Sequence, residues 1–246
     1  MQTTLNIALP RFLFIITLVA LSINSKGQNL PSLLTEKNIN ATFSIIAYDE
    51  ETQEWGIAVA TDNIYVGNST VYIEPGVGAF SVIAETNPQY AIEGFEKLKE
   101  GKPIREAITE VRNKDKNANL RQVAGIDAQG NVYAFTGNSL KYWKGHSSEL
   151  MSENYVVMGN QLKEGVLAAM SKSFVSAKGT LAQRLLKSLQ AGQEAGGQVS
   201  GKQSAAVAVK GLNNAWYNQI DLRVDHSKTP IKDLSVLLDY IMGELY

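Results

Sequence analysis

The stretch NATFSIIAYDEETQEWGIAVATDN, residues 40–63, decides how this chain is read. Residues 42–48 alternate and are rich in β-branched and aromatic types. DEETQE is a polar turn, and residues 55–60 return as a second strand, so the stretch is a hairpin. Its first residue, Thr42, lies well inside the chain. Threonine is a good strand former, which is the plain reading of Thr42. The other reading is chemical. A threonine at a chain terminus can act alone: its hydroxyl attacks and its α-amine takes the proton. An α-amine has a pKa of about 7.7–8.0, close to ideal for a base at neutral pH. That chemistry requires the bond between Ala41 and Thr42 to be broken, because an amide nitrogen is no base.

Upstream of the hairpin, Arg11 precedes the apolar run FLFIITLVALSI, and Ser25 and Gly27 are small residues spaced for signal peptidase. This is a secretory leader over residues 1–27. The run is shorter than the ~20 residues of a membrane span, so no stable membrane anchor is expected. Residues 28–40, QNLPSLLTEKNIN, read as a tether, and the domain as residues 41–246. The chain is therefore expected to be exported, to the periplasm or beyond. Cleavage after Gly27 removes Arg11 and Lys26 and no acid, moving the net charge from −1 to −3. No basic surplus points to nucleic acid. With no cysteine, a lipid-modified terminus is excluded.

Downstream, residues 75–85 form a nearly continuous apolar strand, broken by Asn87-Pro88. Two helices follow over residues 90–100 and from Pro103 to about 112. RQVAGIDAQGNVYAFTG, residues 121–137, is a second hairpin with an Asp/Gly/Asn turn. Residues 155–158 read as a short strand, residues 161–175 as a helix, and Thr180 as the cap of another. Strands over residues 204–209 and 219–224 and a helix over residues 231–245 close the chain. Strands grouped in hairpins, with helix pairs between the groups, predict an α+β fold: a four-layer αββα sandwich of two antiparallel sheets.

Other chemistries fit poorly. GGQVSGKQ resembles a phosphate loop, but Gln203 stands where Ser or Thr must follow Lys202, and a helix precedes and a strand follows, which inverts the required context. Two histidines, His146 and His226, and no cysteine leave no His/Cys metal site, so neither metal nor cofactor is expected. No G-x-S-x-G elbow occurs. Asp49, Glu50 and Glu51 read as a solvated turn. Glu85, ending an apolar strand, needs a partner: a structural cap is its first reading, a pocket role its second.

The chain also resembles a known family. ATFSIIAYDEETQEWGIAVAT, PGVGAFSVIAETNPQYAIEGFEKLKEG, RQVAGIDAQGNVYAFTG, VMGNQL, GKQSAAVAV and DLRVDHS occur in the order found in the domain of unknown function 1028 family, which the chain resembles from residue 41 to about 246. That family resembles the N-terminal nucleophile hydrolases. The resemblance implies a four-layer αββα sandwich, Thr42 as nucleophile, and Asp62 as an acidic group supporting the amine. It marks Asn87, Asn160, Gln203 and Ser204 as pocket residues beside Glu85, with Asn87 or Asn160 as an oxyanion donor. Asp221 and Arg223 are expected to form a structural ion pair. The chain departs from the family pattern in having a leader and tether before Thr42. Two functions are compatible: an exported amidohydrolase acting on a small amide or peptide-like bond, or a non-catalytic protein of the same fold that binds a cell-wall fragment. Association of identical chains fits either.

Overall fold

The computed structural model describes residues 41–215 and 219–245. The leader and tether expected over residues 1–40 lie outside the described residues.

The opening hairpin is the centre of the larger sheet. β1 (Thr42–Asp49) pairs antiparallel with β2 (Glu54–Thr61), from Thr42 opposite Thr61 to Asp49 opposite Glu54. The Asp49 carboxylate accepts the backbone N–H groups of Glu51 and Thr52 and so shapes the turn. The other edge of β1 takes β8 (Tyr155–Leu162), with Thr42 opposite Asn160. β7 (His146–Ser152), β9 (Ser204–Gly211) and β10 (Ile220–Val224) complete the order β10-β9-β2-β1-β8-β7. The second sheet has the order β3-β4-β5-β6, from β3 (Val71–Glu74), β4 (Gly78–Ala84), β5 (Arg121–Asp127) and β6 (Val132–Thr136).

Alternation along β1 assigns its faces. Phe43, Ile45 and Ala47 pack outward with Met170 of α4 (Val166–Ser176) and with Leu185 and Leu189 of α5 (Leu181–Glu194), in a cluster that also takes Leu234 of α6 (Pro230–Leu245). Ile46, with Ile57 and Val59 of β2, turns inward to meet Ile83, Ala124 and Ile126 of the second sheet. The outer face of that sheet buries Phe80 and Val82 against Tyr90 of α2 (Gln89–Lys99) and Ile104 and Ile108 of α3 (Ile104–Lys114). The order is thus helix, sheet, sheet, helix: the αββα sandwich.

Three boundaries differ from the sequence reading. β3, preceded by a single turn α1 (Val66–Ser69), forms a hairpin with β4, and Pro75 lies in its turn rather than in a strand. β7 is a half-exposed edge strand where the polar residues around His146 read as a loop. Residues 161 and 162 belong to β8, not to a helix. Leu162, Val166 and Met170 recur at helical spacing, but Leu162 pairs with His146, and α4 begins only after Gly165, whose φ is +81°. Thr180 caps α5 as expected, in a reciprocal capping box with Gln183.

Two polar ties position the layers. Ser44 and Ser81, both fully buried, share a hydrogen bond of 3.0 Å between the sheets. At the end of α3, Asp115 takes Arg121 Nε at 2.9 Å, Asn87 Nδ2 at 3.2 Å and the Asn117 N–H at 2.9 Å. Burial pushes the Asp115 carboxyl pKa up, but these donors outweigh it and hold the group down at about 2.

Both ties can be probed by stability. Ser44→Ala or Ser81→Ala alone leaves a buried hydroxyl without its partner and should cost about 1–3 kcal/mol in chemical denaturation. The double variant should cost clearly less than the sum of the two. For Asp115, a depressed folded pKa means stability present above the ordinary value of 3.8 and lost as pH falls toward 2. Asp115→Asn should be less stable than wild type at pH 7, with the gap closing between pH 4 and 2. A gap independent of pH in melting curves would show that the carboxylate charge is not what holds this corner.

Candidate functional site

The inward face of the hairpin turns polar at its open end. Thr42 lies on the same face as Ser44 and Ile46, and Thr61 on that of Ile57 and Val59. Register then aligns Asn160, Thr42, Thr61 and Ser204 in one row across β8, β1, β2 and β9. All four are buried, at 0, 4, 3 and 0% exposure. A buried polar row must be satisfied internally, and its hydrogen bonds define the site.

Thr42 Oγ1 and Thr61 Oγ1 are 2.9 Å apart, and Thr61 Oγ1 donates to the carbonyl oxygen of Ala41 at 2.8 Å. A hydroxyl has one proton, so Thr61 accepts from Thr42. The same Ala41 oxygen accepts Gln198 Nε2 at 2.7 Å and the backbone N–H of Asp62 at 3.1 Å. Three donors therefore converge on the carbonyl of the bond that precedes Thr42. On the nitrogen side, the Thr42 N–H donates to Asn160 Oδ1 at 3.2 Å. Gln122 of β5 fixes that orientation: its Nε2 serves Thr136 Oγ1 and the carbonyls of Ser148 and Gly159, so its Oε1 must accept from Asn160 Nδ2, at 3.2 Å.

Asp62 is buried and grips Ala41 twice. Its N–H takes the Ala41 oxygen, and its Oδ1 accepts the Ala41 N–H at 3.0 Å. The resemblance implied a carboxylate supporting the Thr42 amine; the structure places it one residue earlier. Ser200 donates to Asp62 Oδ2 at 2.5 Å, and Gln203 Nε2 donates to the Asp62 carbonyl. Gln198, Ser200 and Gln203 all come from the glycine-rich segment between α5 and β9, so the near-miss phosphate loop lies over the Ala41–Thr42 bond. Ser204 sits in the row but serves the chain: its hydroxyl donates to the Asn63 carbonyl at 2.6 Å and accepts the Val66 N–H at 3.2 Å.

Asn87 and Glu85, expected to line the pocket, are tied to the Asp115 corner. Asn87 is taken up by Asp115 and by the N–H of Gln89, where it caps the first turn of α2. Glu85 joins the same corner through its carbonyl, which accepts Arg121 Nη1 at 2.8 Å. Asn160 has its amide nitrogen on Gln122 and presents oxygen to Thr42, and the donors that meet at the Ala41 oxygen are Thr61, Gln198 and the Asp62 N–H. Thr61 and Gln122 were not singled out in the sequence, although a polar residue near the end of an otherwise apolar strand is a signal that could have found them; for Gln198 a loop sequence gives no such signal. Asp221 and Arg223 form the expected ion pair, at 2.9 Å on a half-exposed strand. Asp49, Glu50 and Glu51 line a cleft of about 570 Å³ at the turn end of the hairpin, roughly 23 Å from Thr42 at ~3.3 Å per strand residue. Among the described residues no group of three or more His, Asp or Glu could hold a metal ion, and no helix is long and apolar enough to cross a membrane.

A family described as "Family of unknown function (DUF1028)" matches residues 42–234. The crystal structure of a protein of that family from Silicibacter pomeroyi superposes with a TM-score of 0.74 at 30% identity, covering 81% of this chain and 85% of that one. Anbu (ancestral beta-subunit) from Yersinia bercovieri aligns at a TM-score of 0.40 and 13% identity, over 83% of this chain and 98% of that one. An Anbu (Gly-1) mutant from Hyphomicrobium sp. strain MC1 aligns at 0.37 and 11%, over 83% and 96%. At those scores neither Anbu structure informs the chemistry of this chain. No curated protein matches it. The chain therefore belongs to the family of unknown function DUF1028.

Proposed function

We propose that this protein is an exported amidohydrolase of the N-terminal nucleophile class, and that it frees its own nucleophile by cutting the bond between Ala41 and Thr42. The observation that carries this reading is the Ala41 carbonyl oxygen. A strand carbonyl has two lone pairs and is satisfied by one or two donors. This one takes three, at 2.7, 2.8 and 3.1 Å, as an oxygen that becomes an anion requires.

The geometry supports a balanced sequence. Thr42 Oγ1 attacks the Ala41 carbonyl carbon, closing a five-membered ring. Its proton passes to Thr61 Oγ1, and the Thr61 proton passes to the Ala41 oxygen, where negative charge is growing. Re-forming the carbonyl returns that proton to the Thr42 nitrogen as the C–N bond breaks. The products are an ester on Oγ1 and a free amine beside Asn160 Oδ1. Water then attacks the ester carbon, its proton passes by way of the freed amine to Oγ1 as the C–Oγ1 bond breaks, and Ala41 leaves as a carboxylic acid.

Turnover reuses the same frame. The freed amine takes the Oγ1 proton as the hydroxyl attacks a substrate amide, then gives it to the departing amine. Gln198 Nε2 and the Asp62 N–H hold the new oxyanion. The sequence also allowed a non-catalytic binding protein. With Thr42 at 4% exposure, a ligand of the uncut chain would have to bind away from Thr42, as in the cleft at the turn end of the hairpin.

Intact-mass spectrometry of the purified full-length chain over time tests the proposal. Wild type and Thr42→Ser should yield a fragment that begins at residue 42. Thr42→Ala should stay whole, and Thr61→Val should cut ~10²-fold more slowly for want of a proton relay. A wild-type chain that stays whole, or equal cutting in Thr42→Ala, would contradict it.

A further inference from the structure

The ester formed when Thr42 attacks Ala41 is an acyl-enzyme whose acyl group is alanyl. A substrate that delivers an alanyl group to Thr42 makes the same linkage in the same place. The surroundings of Ala41 are therefore the acyl pocket of turnover, already filled in the uncut chain. We infer that the enzyme acts on amides of short L-aminoacyl groups, glycyl and alanyl, and that Asp62 recognises them at the α-nitrogen. This rests on the reading of Thr42 as nucleophile and adds the substrate class to it.

Three observations define the pocket. Ala41 is wholly enclosed, so a methyl fits and a longer side chain meets packed atoms. The Ala41 N–H is bound by Asp62 Oδ1 at 3.0 Å, while the Asp62 N–H holds the Ala41 oxygen at 3.1 Å, so one residue reads both ends of the aminoacyl unit. An acyl group without an α-nitrogen cannot make the hydrogen bond that the Ala41 N–H makes to Asp62 Oδ1. Beside the carbonyl, Gln198 Oε1 is a buried acceptor that the described residues leave without a donor, although Gln198 Nε2 makes two bonds, to Ala41 O and Gly201 O. A polar ligand or the attacking water of deacylation completes it.

In turnover the amide C–N bond breaks as the C–Oγ1 bond forms. The leaving amine takes the proton held by the Thr42 amine, and water releases the amino acid. The handedness follows as well: the enclosed methyl belongs to an L-residue, and a D-residue would exchange its methyl and hydrogen positions against the same walls.

The test is hydrolysis of p-nitroanilides by the full chain after it has matured to a Thr42 terminus. The probes are glycyl, L-alanyl, D-alanyl, L-leucyl, L-phenylalanyl and propionyl anilides. Glycyl and L-alanyl should exceed L-leucyl and L-phenylalanyl by ~10²-fold in kcat/KM, and L-alanyl should exceed D-alanyl and propionyl by ~10-fold or more. In matured Asp62→Asn the L-alanyl advantage over propionyl should shrink. Leucyl or phenylalanyl as the best substrate, or equal rates for propionyl and alanyl, would overturn the substrate assignment and leave the nucleophile standing. A matured chain that cleaves none of the six would overturn both.

Discussion

The register of β1 between its two neighbours is the constraint on which the rest of the structure depends. With Thr42 opposite both Thr61 and Asn160, alternation sends Phe43, Ile45 and Ala47 to the helices and Thr42, Ser44 and Ile46 to the space between the sheets. A slip of one residue would exchange these faces, burying Thr42 and Ser44 among leucines and turning Phe43 and Ile45 onto polar partners. The apolar core and the polar row are thus enforced by the same pairing, and neither can move without the other.

The polar row is tied to the backbone through the residue before it. Ala41 lies just outside β1, yet its carbonyl is held by a side chain of β2, a backbone N–H at the end of β2, and Gln198 from the segment before β9. The second sheet contributes indirectly, because Gln122 sets the orientation of Asn160 and Asn160 holds the Thr42 nitrogen. Every contact is compatible with an intact peptide bond, and in the proposed reaction each has a use once the bond is under attack. The corner formed by Asn87, Asp115 and Arg121 serves a different purpose. It joins the start of α2, the end of α3 and the start of β5, and so holds the helix layer over the second sheet.

Much of this was legible in the sequence where local chemistry and tertiary packing agree. Alternation gave the β1–β2 hairpin, an Asp/Gly/Asn turn gave the β5–β6 hairpin, and Thr180 gave the start of α5. The failures came where several patterns fit one stretch. Leu162, Val166 and Met170 repeat at helical spacing, but cross-strand pairing with β7 claims Leu162. The polar surface of β7 hid a strand, because an edge strand needs few apolar residues. At the site, Thr42 and Asn160 stood out, and the row that joins them follows from strand faces. Asn87 was marked by its well-matched segment, and the structure ties it to Asp115 and to the Gln89 N–H at the start of α2. Gln198 was invisible, because side-chain contacts made by a loop are set by the fold around it.

The most direct measurement is the N-terminal residue of the protein recovered from the cells that make it. If the frame around Ala41 is built for cleavage, the domain will begin with an unblocked Thr42. If the recovered chain instead keeps Ala41 joined to Thr42, for instance by beginning at Gln28, then the three donors on the Ala41 carbonyl only satisfy a buried oxygen, and the account of Thr42 as a nucleophile is contradicted.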